Sequence, residues 1–546
     1  TFMRSSSALV VFFTAVSIVY PRVVSAAPDW PDFYDPFSLH TLYVETVNPD
    51  DLAVIKNDTT FDIEVPAYLW VAGEEPVVVS IRRKSASAIP NELAADKKVS
   101  FKIDINEYHD DPNGVDICVG VTGITTGCLS KWKGVKKLSL ENGDDQDVVQ
   151  EGIAWYLHRL AAESELDYDA GMASWVKLYI NGEYQGVYVN VEQPDKQFLK
   201  NRDIWELDGD TWLYKMSDID SPNMKEGVED EFGAEIDSPL TEEFCFAPFK
   251  KKRKCPTPEG FKALLEDNIN MEGMLTFGAV AAFHGSADDL FTKGKNFYYV
   301  DQGDGFEYKR EYYQWDLDQA FSNFDPNRNI YQMAADRANQ YEDALIKLQD
   351  APFRSEYNAI HDRLINGDTP VFSAASMAAD IESLRILLQS ALLEDPYSKS
   401  ALDSFDVIQA YFGVRIAAIR SQLPSAPPEP GEDGVIHVGD LAGFGSRVDR
   451  RTWIATAQVS VHDYLHSGYE GVRVTGRWSG GLSGETVCVS DSSGLCKFDV
   501  TVTSKKVKKA TFTVTGLASE NDDYVDTENH DDDGNSDGTS IAIARP

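Results

Sequence analysis

The chain has 546 residues, which is long for one ordinary domain and predicts about three structural units. Apolar residues make up 42% and aromatic residues 11%, so the composition supports packed cores and is not that of a disordered polymer. The 89 acidic residues against 50 basic ones give a formal net charge of -39. Such a charge disfavours nucleic acid as a partner, because phosphates require a basic surface.

The first 27 residues have the pattern of a secretory signal peptide. Arg4 precedes an apolar run from Ala8 to Tyr20, and a small-residue stretch ends at Ala26 and Ala27. The pattern predicts cleavage after one of these alanines, and therefore a secreted or surface-exposed protein. The alternative is an N-terminal membrane anchor, but the run is shorter than the ~20 residues that span a bilayer. No later segment is long and apolar enough for a stable membrane span.

The six cysteines fall into three pairs that are close in sequence. An even count in local pairs predicts three small-loop disulfides, which agrees with export. None of the pairs has the C-x-x-C spacing typical of a zinc or redox site. The pairs are Cys118/Cys128, Cys245/Cys255 and Cys488/Cys496.

The elements predicted between residues 38 and 423 are strands first and helices last. Alternating apolar and polar residues predict strands at 40–45, 61–65, 77–82, 99–105, 175–180, 186–191, 296–300 and 306–317. Helical spacing predicts helices at 147–163, at 270–283 with an N-cap at Asn270, and through most of 337–423. This order with mixed connections favours an α+β domain.

The remainder of the chain has a different sequence pattern. Residues 424–434 are rich in proline and predict an extended linker. Residues 435–546 contain short alternating strands with Gly and Ser turns, which predict a β-sandwich. The strings WIATAQVSVHD, GVRVTGRWSGG and TFTVTGL resemble immunoglobulin-like modules of secreted proteins, which implies a tethering or binding role. Near its end, Asp531, Asp533 and Asp537 predict either a calcium site or an acidic turn.

The most informative string is WDLD at 315–318, at the end of a predicted strand. Two carboxylates two residues apart on a strand point to the same face, so Asp316 and Asp318 can approach one cation. Hard oxygen ligands of this kind suit Mg²⁺ or Mn²⁺ bridging nucleotide phosphates.

A second group of polar residues lies upstream of this string. Asp288 and Asp289 open a loop that ends at Asn296, just before the apolar strand FYYV. An aspartate, then an asparagine, then a later acidic motif is the order used in phosphoryl transfer. Each acidic pair taken alone is more typical of a solvated turn or a salt bridge than of a metal site.

Three strings together resemble the CotH (spore-coat protein H) kinase family. WVKLYINGEYQGVYVNVEQ at 175–193 is similar to the family signature v-x-L-x-x-N-G-x-Y-x-G-V-Y-x-x-x-E. Residues 289–299 are similar to its D…N-x-Y-Y segment, and WDLD matches in full. The family's R-x-R-G-x-S-S…K-K segment is only partly present, because RRKSAS at 82–87 lacks the glycine. The resemblance spans about residues 40–420 and implies an atypical protein-kinase-like fold.

The resemblance also implies an activity, the transfer of phosphate from ATP, with Mg²⁺ or Mn²⁺, to Ser or Thr of secreted or surface proteins. Carried over residue by residue, Asp289 orients the acceptor hydroxyl, with Asp288 as the fallback. Asn296, Asp316 and Asp318 hold the metal.

The nucleotide contacts implied by the resemblance come from four residues. Glu192 occupies the position of the adenine-binding linker, and Lys98 or Lys97 contacts phosphates, with Lys215 as a second candidate. The main alternative to the kinase is a catalytically silent surface-binding or adhesion protein on the same scaffold. The basic run 250–254 is either a solvated hairpin tip or a docking site for an acidic substrate. A glycan-cleaving protein has little support, because glycosidase carboxyl groups flank the bond that they cleave.

Overall fold

A computed structural model describes most of the chain. The described ranges are 30–84, 98–111, 115–143, 147–204, 210–217, 222–229, 234–240, 258–303, 307–334, 339–366, 370–398, 400–424, 434–449, 451–463, 468–504, 506–519, 522–531 and 536–546. Several predicted features lie outside them: the signal peptide 1–27, Lys97, Cys245, Cys255, the basic run 250–254, linker residues 425–433 and Asp533.

The chain divides into two compact units at Leu423 and Pro424. The first unit combines helices and sheets, as expected for an α+β fold. None of the described helices is long and apolar enough to cross a membrane. Both described cysteine pairs form disulfides, Cys118–Cys128 in the first unit and Cys488–Cys496 in the second.

A closed barrel of seven strands forms one part of the first unit. Its strand order is β1-β2-β3-β4-β7-β9-β8, and neighbours are antiparallel except β1 and β8. The short strands β5 and β6 pair separately. The bounds are β1 (His40–Thr46), β2 (Val65–Val71), β3 (Val77–Arg83), β4 (Phe101–Asp104), β5 (His109–Asp110), β6 (Ile117–Cys118), β7 (Lys137–Glu141), β8 (Ala173–Ile180) and β9 (Glu183–Glu192).

Strand β9 is buried on both faces because it separates two hydrophobic cores. Tyr188 packs into the barrel core with Phe101. Val187 and Val189 point the other way, into the larger core formed with the helices. A strand in this position has little polar alternation, and it fixes the barrel against the helical part of the unit.

A second sheet of four strands, in the order β11-β10-β14-β15, belongs to the larger core. Strands β12 and β13 form a separate pair. The bounds are β10 (Asp210–Met216), β11 (Pro222–Glu226), β12 (Val228–Glu229), β13 (Glu235–Ile236), β14 (Phe297–Gly303) and β15 (Tyr308–Gln314).

The helices of the first unit have the end signals that the sequence supplies. Asp147 caps α3 by accepting from the N–H groups of Val149 and Gln150. The predicted N-cap Asn270 is confirmed on α6, which ends at Gly285 with a positive φ of 69°. The bounds are α1 (Trp30–Phe33), α2 (Asp51–Asn57), α3 (Val148–Ala162), α4 (Lys196–Asn201), α5 (Pro258–Asn268), α6 (Met271–His284), α7 (Gln340–Leu345), α8 (Arg354–Ile365), α9 (Ala374–Glu394) and α10 (Ala401–Gln422).

The second unit is built from two four-stranded sheets, β20-β17-β16-β22 and β19-β18-β21-β23. Trp453 and Val459 of one sheet share a core with Val474 and Phe512 of the other, so the unit is a sandwich. Its immunoglobulin-like character stays a prediction. The bounds are β16 (Gly434–Arg447), β17 (Trp453–Asp463), β18 (Arg473–Ser479), β19 (Gly484–Val489), β20 (Leu495–Val502), β21 (Lys509–Ala518), β22 (Asp522–Tyr524) and β23 (Ser540–Ala544).

The acidic segment before β23 forms backbone contacts of its own. Asp537 accepts from the N–H of Thr539 at 3.0 Å, and Asp531 accepts from the N–H of Ser536. These contacts are those of an acidic turn. Calcium binding at this segment stays a prediction.

A buried ion pair joins the barrel to the helices. Nζ of Lys98 lies 3.0 Å from Oδ2 of Asp395, and both side chains are fully buried. Asp395 also accepts from the N–H of Val187 on β9 at 2.7 Å and from the N–H of Ser398 at 3.0 Å. Burial lowers the pKa of Lys98 to about 8, against the attraction of Asp395. The Asp395 carboxylate, between α9 and α10, thus binds both Val187 of β9 and Lys98, which precedes β4.

We expect Asp395→Ala to lower the free energy of unfolding of the first unit by about 3–5 kcal/mol, because it leaves a buried ammonium without a counter-charge. Denaturant unfolding followed by tryptophan fluorescence measures this cost. Asp343→Ala is the matched control, since Asp343 pairs with Lys347 on the surface at 2.5 Å and its loss costs about 0–1 kcal/mol. An equal cost for the two variants would contradict the structural role of Asp395.

Candidate functional site

Lys84 follows β3 and lies among several carboxylates. Its Nζ contacts Glu141 at the end of β7 and is 4.7 Å from the ring centroid of Trp315. Burial alone would lower the pKa of Lys84, but negative charge on Glu141, Asp316 and Glu151 raises the pKa above its ordinary value. The lysine is therefore charged at neutral pH. We call Glu141, Glu151, Asp316 and Asp318 the carboxylate cluster.

Helix α3 supplies the most deeply buried member of the cluster. Glu151 lies in the first turn of α3 and is 2% exposed. Its Oε2 is buried and has no hydrogen-bond partner among the described residues. Burial raises the pKa of Glu151 well above its ordinary range, and the charges of Glu141, Asp318 and Asp316 raise it further. The fold thus holds a carboxylate where negative charge is already concentrated.

The two aspartates of WDLD converge for a reason different from the predicted one. Strand β15 ends at Gln314, so the argument that both aspartates point to one face of a strand was wrong. Asp316 has a left-handed backbone, with φ 58° and ψ 60°, and a 3₁₀ turn follows at Leu317–Gln319. Non-glycine residues in this conformation are strained, and such strain is often found at functional sites. Asp316 and Asp318 nevertheless both act electrostatically on Glu151.

Asp289, the predicted hydroxyl-orienting residue, organises its own loop. Its Oδ1 accepts from the N–H groups of Phe291 at 2.9 Å and Thr292 at 3.0 Å, and from the Thr292 hydroxyl at 3.1 Å. The residue is 1% exposed, and burial raises its pKa. These contacts make Oδ1 of Asp289 a buried turn cap, whereas its Oδ2 is buried and has no hydrogen-bond partner among the described residues.

Asp288, the fallback, is the aspartate of this pair that interacts with the cluster. Its Oδ2 lies 2.9 Å from Nζ of Lys293 and 3.2 Å from Nζ of Lys295. Its negative charge contributes to the raised pKa of Asp316, whose main cause is burial. Oδ1 of Asp288 is buried and has no hydrogen-bond partner in the described ranges. This oxygen is therefore available to a group that enters the site.

Two further predicted residues lie on neighbouring strands of the second sheet. Lys215 on β10 has its Nζ 5.3 Å from the ring centroid of Trp315 and 5.8 Å from that of Tyr298. Burial and the charge of Lys84 lower the pKa of Lys215 to about 8, while Asp316 opposes the shift. Asn296 precedes β14 with φ 57°, and its N–H donates to the carbonyl of Met216, the neighbour of Lys215. The structure thus brings Lys215 to the cluster, and its contact with a nucleotide stays a prediction.

Two residues predicted to contact the nucleotide have buried protein partners in the structure. The Glu192 carboxylate accepts from Arg202 at 3.0 and 2.8 Å and from Nε1 of Trp30 at 2.6 Å, so it is a buried structural anchor. Lys98 is committed to Asp395, and its side chain is fully buried. Neither side chain can reach a nucleotide without breaking these contacts.

The family model described as CotH kinase protein matches residues 95–419. This match covers more than half of the chain. The chain belongs to the CotH kinase family. No curated protein matches it. The matched range contains Glu141, Glu151, Asp288, Asp289, Asp316 and Asp318. Lys84 lies before its first residue.

Membership of the CotH kinase family implies a kinase-like protein that uses ATP and a divalent metal. The donor set of the cluster fits such a cation, because Mg²⁺ and Mn²⁺ prefer carboxylate oxygens. The partnerless Oε2 of Glu151 points to the same conclusion, since a buried carboxylate oxygen without a partner is costly. Lysines beside the cluster supply the positive charge that phosphates require.

Sequence reasoning missed Glu141 and Glu151, and it named Lys98, which pairs with Asp395, but not Lys84, which lies at the carboxylate cluster. A signal existed for Lys84, which stands in the partly matched string RRKSAS. Glu151 has only a weak signal, an acidic residue in the first turn of a helix. Glu141 has none, because a glutamate that ends a strand is normally solvated.

We expect Glu151→Gln to raise the free energy of unfolding of the metal-free protein by about 1–3 kcal/mol at neutral pH, because glutamine avoids the cost of burying the carboxylate charge or of protonating it. The same variant should show a smaller rise in melting temperature on addition of Mn²⁺. Unfolding in EDTA and in Mn²⁺ measures both effects. Glu163→Gln is the control, since Glu163 caps the same helix, is exposed and pairs with Arg159. A Glu151 variant less stable in EDTA than wild type, with an unchanged response to Mn²⁺, would contradict this account of the cluster.

Proposed function

We propose that this protein is an atypical kinase that transfers the γ-phosphate of ATP to Ser or Thr residues of secreted or surface proteins. The observation that carries the proposal is the convergence of Lys84, Glu151 and Asp316 from three separate elements. In protein kinases a lysine of the third strand pairs with a helix glutamate, and a later aspartate binds the metal. Here the lysine follows β3 and contacts Glu141 of β7, Glu151 on α3 acts on it electrostatically, and the aspartate follows β15.

Each residue of the site has a role that its surroundings support. Glu151, Asp316 and Asp318 are proposed to hold Mg²⁺ or Mn²⁺, with Asn296 as a further ligand; the cation supplies charge neutralisation for the phosphates. Lys84 and Lys215 bind phosphate oxygens.

Asp288 is proposed as the residue that orients the acceptor hydroxyl. Its partnerless Oδ1 accepts a hydrogen bond from the incoming Ser or Thr and then its proton, while the hydroxyl oxygen bonds to the γ-phosphorus. The bond from that phosphorus to the bridging oxygen breaks, and ADP leaves. Lys293 and Lys295 hold the other oxygen of Asp288 and so keep the carboxylate in place.

The free-energy cost of this arrangement to the folded state favours an active enzyme over a catalytically silent scaffold. The site contains a strained Asp316 and three buried carboxylate oxygens, of Glu151, Asp288 and Asp289, that have no partner within the described part of the chain. A binding protein that never holds metal or nucleotide gains nothing from these features, which lower its stability. The two disulfides and the leader pattern support secretion.

We expect Lys84→Met and Asp288→Asn each to lower the rate of phosphate transfer by more than about 100-fold, because each removes a group that acts on the transferred phosphate or on its acceptor. The measurement is incorporation of label from γ-labelled ATP, with Mg²⁺ or Mn²⁺, into the protein itself and into a generic acceptor protein. Asp288→Asn should retain the ATP-dependent rise in melting temperature.

Lys177→Met is the matched control for the lysine variant, since Lys177 lies on the surface of the barrel beside Glu394 at 3.8 Å. It should transfer phosphate at the wild-type rate. A wild-type protein that neither transfers label nor gains thermal stability from ATP would overturn the proposal and leave the silent surface-binding protein. Full activity in Lys84→Met would overturn the assignment of the site.

A further inference from the structure

Three of the nine histidines in the chain meet in the second unit. His437 on β16 and His462 on β17 are directly opposite each other in the strand register. His530 lies before β23, and its N–H donates to the carbonyl of Val438 at 2.9 Å. One ring nitrogen of each histidine lies within 4.8 Å of a ring nitrogen of each of the other two. The ring centroid of His530 lies 5.1 Å from the ring centroid of His437 and 5.9 Å from that of His462.

We propose that His437, His462 and His530 bind a divalent transition-metal cation, with Zn²⁺ as the ligand that fits best. Three neutral imidazoles from three segments are a donor set typical of zinc, with an open fourth position for water. Hard cations such as Ca²⁺ and Mg²⁺ prefer oxygen donors and do not suit it. This site is therefore chemically distinct from the carboxylate cluster of the first unit.

The local backbone makes room for these rings. Residues directly opposite on antiparallel strands place their side chains on one face, about 4.5–5.5 Å apart. The β16–β17 register shifts between Val438 and Asp440, which sets Gly439 at an irregularity. A Cβ on Gly439 would lie 1.9 Å from Nδ1 of His462, so the ring occupies space that only glycine leaves open.

A second glycine has the same effect on His530. Gly538 has φ 72°, and a Cβ on it would lie 2.6–2.8 Å from the backbone of His530. The segment before β23 can therefore approach β16 closely enough to bring the third imidazole to the first two.

The surroundings of His530 also select the nitrogen that faces the metal. Nδ1 of His530 lies 3.2 Å from the carbonyl oxygen of Glu528. When Nδ1–H donates to that oxygen, Nε2 carries the lone pair that a metal requires, which is the usual way in which a metal-binding histidine is oriented. Zinc–nitrogen bonds of 2.0–2.1 Å in a tetrahedron need ligand nitrogens about 3.4 Å apart. The ligand atoms of the three histidines all lie within 4.8 Å of one another, close to that distance.

Burial of the cluster fits a bound cation that ties the sandwich together. His437 is 1% exposed, whereas His462 and His530 are half-buried, so the metal can enter from the surface. A bound cation would cross-link β16, β17 and the segment before β23, and its binding free energy would add to the stability of the folded state.

The test is zinc binding by the whole protein, stripped with EDTA and then titrated with Zn²⁺ in excess Mg²⁺, which saturates the carboxylate cluster. Metal analysis after dialysis gives the stoichiometry, and Co²⁺ in place of Zn²⁺ gives the visible absorption of a tetrahedral site. We expect His530→Ala and Gly439→Ala each to lose one equivalent of zinc and the cobalt band. His109→Ala should lose neither, since His109 pairs with Asp116 in the first unit.

The Zn²⁺ affinity of His530→Ala should be lower than that of wild type by more than roughly 10- to 100-fold, the loss typical of residues that only orient a metal-binding side chain. Its unfolding midpoint in EDTA should equal that of wild type, which separates loss of metal from loss of fold. Zinc stoichiometry and affinity that are the same in wild type, His530→Ala and Gly439→Ala would overturn the proposal. Zinc that raises the melting temperature of His530→Ala as much as that of wild type would also overturn it.

Discussion

The contact between Lys84 and Glu141 puts one positive charge among four carboxylates, and the first unit is arranged around that contact. The barrel delivers both residues, since one follows β3 and the other ends β7. Helix α3 delivers Glu151, and the strained turn after β15 delivers Asp316. Burial raises the pKa of Glu151 and of Asp316, and the nearby lysines offset only part of the repulsion between the carboxylates. A bound divalent cation would remove the remainder, which is why the arrangement supports metal-dependent chemistry.

The buried pair of Lys98 and Asp395 serves the same site indirectly. It fixes β9 to the connection between α9 and α10, and β9 separates the barrel core from the helical core. The positions of Lys84 on one side and Asp288 on the other depend on how these two cores meet. Lys98 of the structural ion pair and Lys84 of the cluster thus stand close in sequence, and only the fold distinguishes their surroundings.

Local patterns predicted a large part of this arrangement. Alternation predicted five of the seven barrel strands, whereas β2 lies at 65–71 and not at 61–65, and β7 was not predicted. Asn270 predicted the start of α6. What failed was long-range information: Lys98 is separated from Asp395 by 297 residues, so its partner could not be read from the motif around it. The role of Asp288 depends on two lysines and on a turn cap at Asp289, which are properties of the folded loop.

In the second unit, too, the local sequence did not reveal which side chains meet in the fold. Its oxygen-rich end suggested calcium, yet the described carboxylates there accept backbone N–H groups. The histidines that meet beside it lie in three separate segments, and only the register of β16 and β17 together with two glycines brings them together. Sequence spacing signals metal sites when the ligands are close along the chain, and these are not.

The central claim is that the carboxylate cluster holds the divalent cation that accompanies ATP. The most direct measurement is anomalous diffraction from crystals grown with Mn²⁺ and a non-hydrolysable ATP analogue. The account predicts an anomalous peak in contact with carboxylate oxygens of Glu151, Asp316 and Asp318, with analogue phosphates beside Lys84. A peak elsewhere in the first unit, or bound analogue with no manganese at the cluster, would contradict it.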